Sequence, residues 1–524
     1  MAHENDTPAE KILFDAANAL RGSVESAEYK HLVLGLVFLK YVSDNFDARR
    51  QAVEELSRDS ESEWYVEDDQ DRADLLEDRD AYEVANTFWV PTEARWPALL
   101  ALGSQSDIGV QLDRALDLIE RENPALKDVL PRVYARAALS PETLGKLVSE
   151  IAKIGFGSDP EKARDVLGRV YEYFIKEFAR SEGHRGGEFY TPANVVRLLV
   201  ELLQPDHGRI FDPACGSCGM FIQSARFLRA HAGTGDELSV FGQELNQATW
   251  RIGRMNLAIH GLSGNVALTQ GGSLLNDAHP TLKADFVIAN PPFNQKKWGA
   301  AQVAEDSRWK WGIPPDGNAN YAWIQHFASH LAPDGRAGFV LANGSLTSTT
   351  SGEGAIREAL IRDDLVDCIV ALPGQLFYTT GIPVCLWFLD RNKASANERD
   401  RRGETLFIDA RSMGHKISRT QIELSDEEIG RVTSVYRAWR GQTGAGEYSD
   451  EPGFCRSADL AQIEQAGFTL SPGRYVGAPE DEEDAVAFEE RMAELIESLE
   501  DEMAENQRLA GAVRVALEQV GRAI

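Results

Sequence analysis

The tetrapeptide Asn290-Pro291-Pro292-Phe293, which follows the apolar run Ala284–Ala289, is the segment best suited to chemistry. Two consecutive prolines fix φ and remove two backbone donors, leaving carbonyl oxygens on a rigid loop. The Asn290 side-chain oxygen and the Pro291 carbonyl can both accept from one exocyclic amino group. Phe293 offers a flat face on which a base could stack. The set suits a planar substrate carrying –NH2. The lone pair of such an amine is delocalised into its ring. Two acceptors out of the ring plane would localise it for in-line attack on a methyl group held by a positive sulfur. Neither a metal nor a covalent enzyme intermediate is needed, and a base within a duplex would have to be flipped out. Alone, the tetrapeptide is equally well a stiff turn, so its position has to decide.

A second segment, Phe211-Asp212-Pro213-Ala214-Cys215-Gly216-Ser217-Cys218-Gly219-Met220, lies between a strand-like run and a helical one. Its small residues let the backbone approach a ligand, and the helix start supplies free N–H groups. No Gly-Lys-Ser/Thr follows, which removes the P-loop reading, and the spacing is not the dinucleotide G-x-G-x-x-G. Glu244 closes the next strand-like run, where an acidic residue can accept from both hydroxyls of a ribose. Cys215 and Cys218 form a C-x-x-C, but Cys368, Cys385 and Cys455 are scattered. Two small residues in a tight loop therefore explain the pair better than a zinc or redox site. Beyond the tetrapeptide, Lys296, Lys297, Trp298, Trp309, Lys310 and Trp311 interleave charge with aromatic surface. They suit stacking and phosphate contact, or equally the packing of a long loop.

The elements that must hold these loops follow from periodicity. Candidate strands are 209–212, 240–244, 266–269, 284–289, 337–341, 366–372 and 384–389, with helical runs at 219–231, 246–260, 320–331 and 354–362. Such alternation predicts an open, mostly parallel sheet with helices on both faces, and ligands beyond the carboxyl ends of its strands. Residues 1–165 read as helical: Leu13, Phe14, Ala17 and Leu20 recur at helix spacing, and Tyr29 to Phe46 is apolar over most of its circumference. A further helical run is expected at 161–180, and the acidic stretch 58–82 reads as a solvated loop. The polar stretches 391–404 and 441–453 also read as loops. From 480, Phe488, Met492, Leu495, Leu499 and Met503, then Val513, Leu517, Val520 and Ile524, trace a narrow apolar helical seam. It packs either on its own domain or on a partner helix.

Bulk properties bound the answer. The chain has 524 residues, five cysteines and a net charge of −29. No apolar run is long enough to span a bilayer, and the first residues lack a signal-peptide layout. A cytoplasmic protein without a disulfide framework is expected. The charge is opposite to that of a chain that grips nucleic acid alone, so either there is no such grip or a partner carries much of it.

Several motifs in this order resemble those of the modification subunit of type I restriction–modification systems, a DNA adenine-N6 methyltransferase. They are Tyr29-Lys30 through Leu36-Val37-Phe38-Leu39-Lys40-Tyr41, Gly187-Glu188-Phe189-Tyr190-Thr191-Pro192, Asp212-Pro213-Ala214-Cys215-Gly216, Gly242-Gln243-Glu244 and Asn290-Pro291-Pro292-Phe293. Phe377-Tyr378-Thr379-Thr380-Gly381-Ile382-Pro383 and Ser471-Pro472-Gly473-Arg474-Tyr475-Val476 complete the set. The resemblance implies a class I S-adenosylmethionine-dependent methyltransferase fold, α/β and Rossmann-like, with a mostly parallel seven-stranded sheet. An α-helical N-terminal domain (1–165), a catalytic domain (166–476) and a C-terminal helical docking segment (477–524) would divide the chain. S-adenosylmethionine would lie among Glu188, Phe189, Tyr190, Thr191, Pro192, Ala193, Asp212, Gly216, Ser217, Cys218, Gly219 and Glu244. Asn290, Pro291, Pro292 and Phe293 would be catalytic. The implied partners are double-stranded DNA, a specificity subunit that reads the target, a motor-nuclease restriction subunit, and a second copy of the chain. Position 218 departs from the family, which commonly has Gly there. The alternatives are methyl transfer to RNA adenine or a protein glutamine, a non-catalytic scaffold of the same fold, and a nicotinamide oxidoreductase.

Overall fold

The computed structural model describes residues 26–137, 139–156, 167–168, 191–231, 238–377, 381–418 and 421–477. The Leu13 to Leu20 pattern, all but residues 167 and 168 of the run 161–180, Glu188 to Tyr190, and the C-terminal seam lie outside them.

The N-terminal part is helical, as its periodicity predicts. Helices α1 (Ser26–Arg58), α2 (Ile108–Glu122) and α3 (Pro141–Ile151) share one hydrophobic core. Leu32 to Leu39 is almost wholly buried on every side of α1, which is why that stretch shows no polar face. Gly35 is required by close approach: a Cβ there would lie 2.5 Å from Tyr134 Oη, which donates to Leu32 O at 2.7 Å. Helix α3 starts at Pro141 behind Ser140, whose side chain accepts from Thr143 N. The acidic stretch 58–82 is largely exposed but is not all loop. It holds a helix, Asp69–Leu75, capped by Asp68, and the start of another at Asp80. Side-chain capping outweighs the mutual repulsion of the surface charges there.

The rest is built on one nine-stranded sheet. Its strands in chain order are β1 (Gly208–Asp212), β2 (Leu238–Glu244), β3 (Gly264–Leu268), β4 (Ala284–Ala289), β5 (Leu331–Ala342), β6 (Val366–Ala371), β7 (Val384–Asp390), β8 (Glu404–Asp409) and β11 (Cys455–Asp459). A hairpin of β9 (His415–Ser418) and β10 (Gln421–Glu423) stands apart. The order across the sheet is β11-β8-β6-β7-β5-β4-β1-β2-β3. Strands β3, β2, β1, β4 and β5 run parallel, β7 is antiparallel between β5 and β6, and β8 is parallel to β6. This is the expected doubly wound sheet, extended from seven strands to nine by β8 and β11. Every residue of β6 and β7 is buried, because helices cover both faces.

On one face lie α4 (Ala193–Leu203), α5 (Gly219–His231) and α9 (Asp426–Trp439). On the other lie α7 (Asn320–His330) and α8 (Glu353–Arg362). Helix α6 (Gln247–Ile259) joins the two parts of the molecule. Its Leu257 packs into the sheet core, while Ile252, Met255 and Ile259 pack into the core around α1. The described residues up to Val476 form one compact unit. No described helix is long and apolar enough to cross a membrane.

Candidate active site

Parallel pairing of β1 with both β2 and β4 brings their carboxyl ends to one edge, so the two sequence motifs and Glu244 face the same space. The loop after β1 is tied to the end of β2. Cys215 N donates to Gln243 O at 3.1 Å, and Gly216 N donates to Glu244 Oε2 at 3.0 Å. The other oxygen of Glu244 accepts from Leu245 N and Asn246 N, both at 2.8 Å. Glu244 therefore organises the loop as well as offering an acceptor. Gly216 has φ +52°, and a Cβ there would meet nothing within 4 Å, so the backbone borders open space. A ligand can lie against that backbone.

Asp212 is 2% exposed, with Oδ1 accepting from Ala214 N at 2.9 Å. Burial pushes its carboxyl up to about 8, and the nearby Glu244 carboxylate adds to the rise. Cys215 and Cys218 are both free and buried. The Cys218 hydrogen bond, reinforced by burial, holds the Cys215 thiol well above the usual range. A Cys215 thiol kept protonated is a poor ligand or nucleophile, in line with the packing reading. Cys218 occupies φ +62°, where an L side chain is strained. Its sulfur points at α6, where only a glycine fits: a Cβ on Gly253 would lie 2.8 Å from Cys218 Sγ and 2.8 Å from Gly216 O. Three residues on, Asn256 Nδ2 donates to Ser217 O at 2.9 Å. Gly253 and Asn256 are parts of the site that sequence reasoning missed.

The catalytic loop carries the most informative atom. Asn290 Nδ2 donates to Thr191 Oγ1 at 2.8 Å, while Asn290 Oδ1 is buried with no partner among the described residues. A buried acceptor left unmade costs about 1–3 kcal/mol, so its retention points to a donor supplied from outside the chain. Thr191, placed with the cofactor residues by resemblance, thus touches the catalytic loop directly. Pro192 precedes α4 as its cap, and Ala193 opens the helix. Phe293 is 8% exposed and meets Phe377 edge-to-face, with ring centroids 5.6 Å apart. Just beyond, Asn294 is held at φ +51°. Its N–H donates to Asn320 Oδ1 at 3.2 Å, and Asn320 Nδ2 returns a bond to Asn294 Oδ1 at 3.0 Å.

The aromatic–lysine stretch is structural in its aromatic half. Trp298 and Trp309 are buried against each other, and their indole N–H groups donate to Pro315 O and Val303 O. Trp311 and Lys310 both bind Asp363. Lys296 and Lys297 alone are exposed without such ties. Elsewhere, Asp277, His326 and His330 cluster within 4.8 Å. Burial, then His330 and Arg308, hold the His326 ring neutral, well below its usual range. Arg308 donates to His326 Nδ1 at 2.9 Å, so the ring proton sits on Nε2 and that atom cannot ligate a cation.

Comparison with known proteins follows the same outline. Residues 162–484 match the family model for N-6 DNA methylase, and residues 9–151 match the HsdM N-terminal domain. The chain is 41% identical to the type I restriction enzyme HindI methylase subunit of Haemophilus influenzae, over 82% of this chain and 100% of that protein. It is 38% identical to the MjaIX methylase subunit of Methanocaldococcus jannaschii, over 98% of this chain and 91% of that one. A solved type I restriction-modification methyltransferase subunit from Streptococcus thermophilus superposes with a TM-score of 0.74 at 26% identity, covering 89% of this chain and 99% of that one. A helical part and a methylase sheet matched in succession, with the acceptor loop at the sheet's carboxyl edge, show that the chain belongs to the N-6 DNA methylase family, among the methylase subunits of type I restriction enzymes.

Proposed function

We propose that the chain transfers a methyl group from S-adenosylmethionine to N6 of an adenine flipped out of double-stranded DNA. It does so as the modification subunit of a type I restriction–modification assembly. The observation that carries this reading is the buried, unpartnered Asn290 Oδ1 at the carboxyl end of β4. An adenine amino group supplies the donor that this atom lacks, and the Pro291 carbonyl is the second acceptor. Together they draw electron density toward the amine nitrogen, while Phe293 backs the ring. Bound S-adenosylmethionine supplies the electrophilic methyl group. The residues that would hold it are Thr191, Pro192 and Ala193, the loop residues Asp212, Gly216, Ser217, Cys218 and Gly219, and Glu244; the open space beside Gly216 fits such a ligand. Glu188, Phe189 and Tyr190 join that set by family resemblance.

The charge of −29 is accounted for by a specificity subunit that carries the target recognition and much of the phosphate contact. Two copies of the chain, a restriction subunit and a cytoplasmic location complete the proposed assembly. We assign 1–165, 166–476 and 477–524 to helical, catalytic and docking roles. Methyl transfer from labelled S-adenosylmethionine to duplex DNA is expected with the specificity subunit present and not with the chain alone. Equal transfer in both cases would refute the division of labour. Removal of residues 480–524 is expected to abolish co-purification with that subunit.

A further inference from the structure

Farther along the same sheet edge lies a cleft of about 290 Å³, with apolar walls from Leu346, Ala371 and Pro472. Asn343, immediately after β5, Ala371 at the end of β6, Arg411 just beyond β8, and Gly473 and Arg474 line it. Strand β8 stands four strands from β4, so Arg411 is about 20 Å along the edge from the catalytic loop at the usual ~4.8 Å strand spacing. Asn343 is only one strand away. The cleft therefore begins beside the site and leads away from it.

Its chemistry is that of an anion site. Arg411 donates to Asp409 through Nε at 2.8 Å and Nη2 at 2.5 Å. That fork fixes the guanidinium plane and leaves Nη1 unspent. Gly473 makes the approach possible, since a Cβ there would lie 2.5 Å from Arg411 Nη2. Arg474 gives one N–H to Ala466 O at 3.1 Å and keeps the rest of its fork for another acceptor. Asn343 Oδ1 is buried with no partner among the described residues, and half a turn of its amide would offer the NH2 instead. On a chain of net charge −29, two guanidinium groups lining one cleft, only Arg411 of them paired with a carboxylate among the described residues, mark a place where an anion can be held rather than repelled.

We propose that this cleft seats a backbone phosphate of the DNA strand that delivers the adenine, a few nucleotides from the flipped base. The inference rests on the proposed methylation of DNA. Arg411 and Arg474 would fix the strand's register, which shows in binding rather than in the chemical step.

The test uses the chain assembled with its specificity subunit. Steady-state methylation of duplex DNA is measured over a range of salt for wild type, Arg474→Gln, the double variant Arg411→Gln/Arg474→Gln, and the double Arg→Lys variant. In the double Gln variant KM for DNA is expected to rise about tenfold, and the slope of log affinity on log salt to fall by about 0.9 per lost phosphate contact. Cofactor affinity and kcat should hold. Arg474→Gln, which disturbs no ion pair among the described residues, should shift the same quantities less, and the Lys pair should restore most of them. Unchanged KM and salt slope in the double Gln variant would overturn the proposal. Loss of co-purification with the specificity subunit at an unchanged slope would also overturn it, because the cleft would then hold a protein carboxylate. A wild-type assembly that leaves DNA unmethylated would refute the function itself, whereas equal wild-type and variant behaviour refutes only the cleft.

Discussion

Thr191→Val isolates the hydrogen bond that presents the catalytic acceptor. Valine keeps the shape of threonine and removes Oγ1, which accepts from Asn290 Nδ2 at 2.8 Å. A substrate amino group is a donor, so the productive amide orientation turns Oδ1 inward and Nδ2 toward residue 191. With valine there, that orientation leaves Nδ2 buried and unsatisfied. The cost of such a donor is about 1–2 kcal/mol, within the usual range for an unmade buried bond. Expressed in the chemical step, that is a roughly five- to thirtyfold loss in kcat. Deleting the acceptor itself, by Asn290→Ala, should cost more, about 10²–10³-fold, as for other donors and acceptors aimed at developing charge. The assay is single-turnover methylation with saturating DNA and cofactor, alongside a direct measurement of cofactor binding. Thr191→Ser should recover most of the rate, because it restores the hydroxyl. A Thr191→Val enzyme with unchanged kcat and weakened cofactor binding would refute the reasoning and return Thr191 to the cofactor site alone. A serine variant as slow as the valine variant would refute it too.

Substitutions at two further positions probe the cofactor loop. The Asp212 carboxyl is pushed up to about 8, so the native state keeps its proton while the unfolded chain loses it above about pH 4. Stability should therefore fall as pH rises from about 4 toward 8, by up to about 1.4 kcal/mol per unit, and level off above. Asp212→Asn should lack that slope in denaturant melts, and parallel pH profiles for the two proteins would contradict it. At Cys218, glycine relieves a left-handed conformation worth about 1–2 kcal/mol but gives up a buried side chain worth a similar amount, so Cys218→Gly should stay folded and active. Cys218→Ala loses the sulfur and keeps the strain. It should melt below Cys218→Gly, the reverse of the order at an ordinary helical position.

The motifs were legible because each sits where an apolar strand stops, and β1, β2 and β4 end together only in a parallel sheet. Strands β1 to β7 announce themselves by dense apolar runs. Strand β8 does not, because it opens with Glu404 at the end of a charged stretch. Strand β11, Cys455–Asp459, is an edge strand of mostly polar residues whose position depends on pairing with β8 rather than on its own pattern. Gly253 and Asn256 look like ordinary mid-helix residues, and nothing local tells that they face a loop some forty residues upstream. Thr191 meets Asn290 across 99 positions, which no spacing rule reaches. The tryptophans after the catalytic loop were ambiguous for a different reason. Stacking on a base and packing in a core call for the same side chain, and only burial separates them.

The central claim is that Asn290 directs a methyl group onto an adenine amino group. The most direct measurement digests DNA after incubation with labelled S-adenosylmethionine and the chain–specificity subunit complex, then identifies the labelled nucleoside by mass spectrometry. All of the label is expected in N6-methyldeoxyadenosine, formed about 10²–10³-fold more slowly with Asn290→Ala. Label in N4-methyldeoxycytidine, label retained on protein, or undiminished labelling by Asn290→Ala would contradict the account.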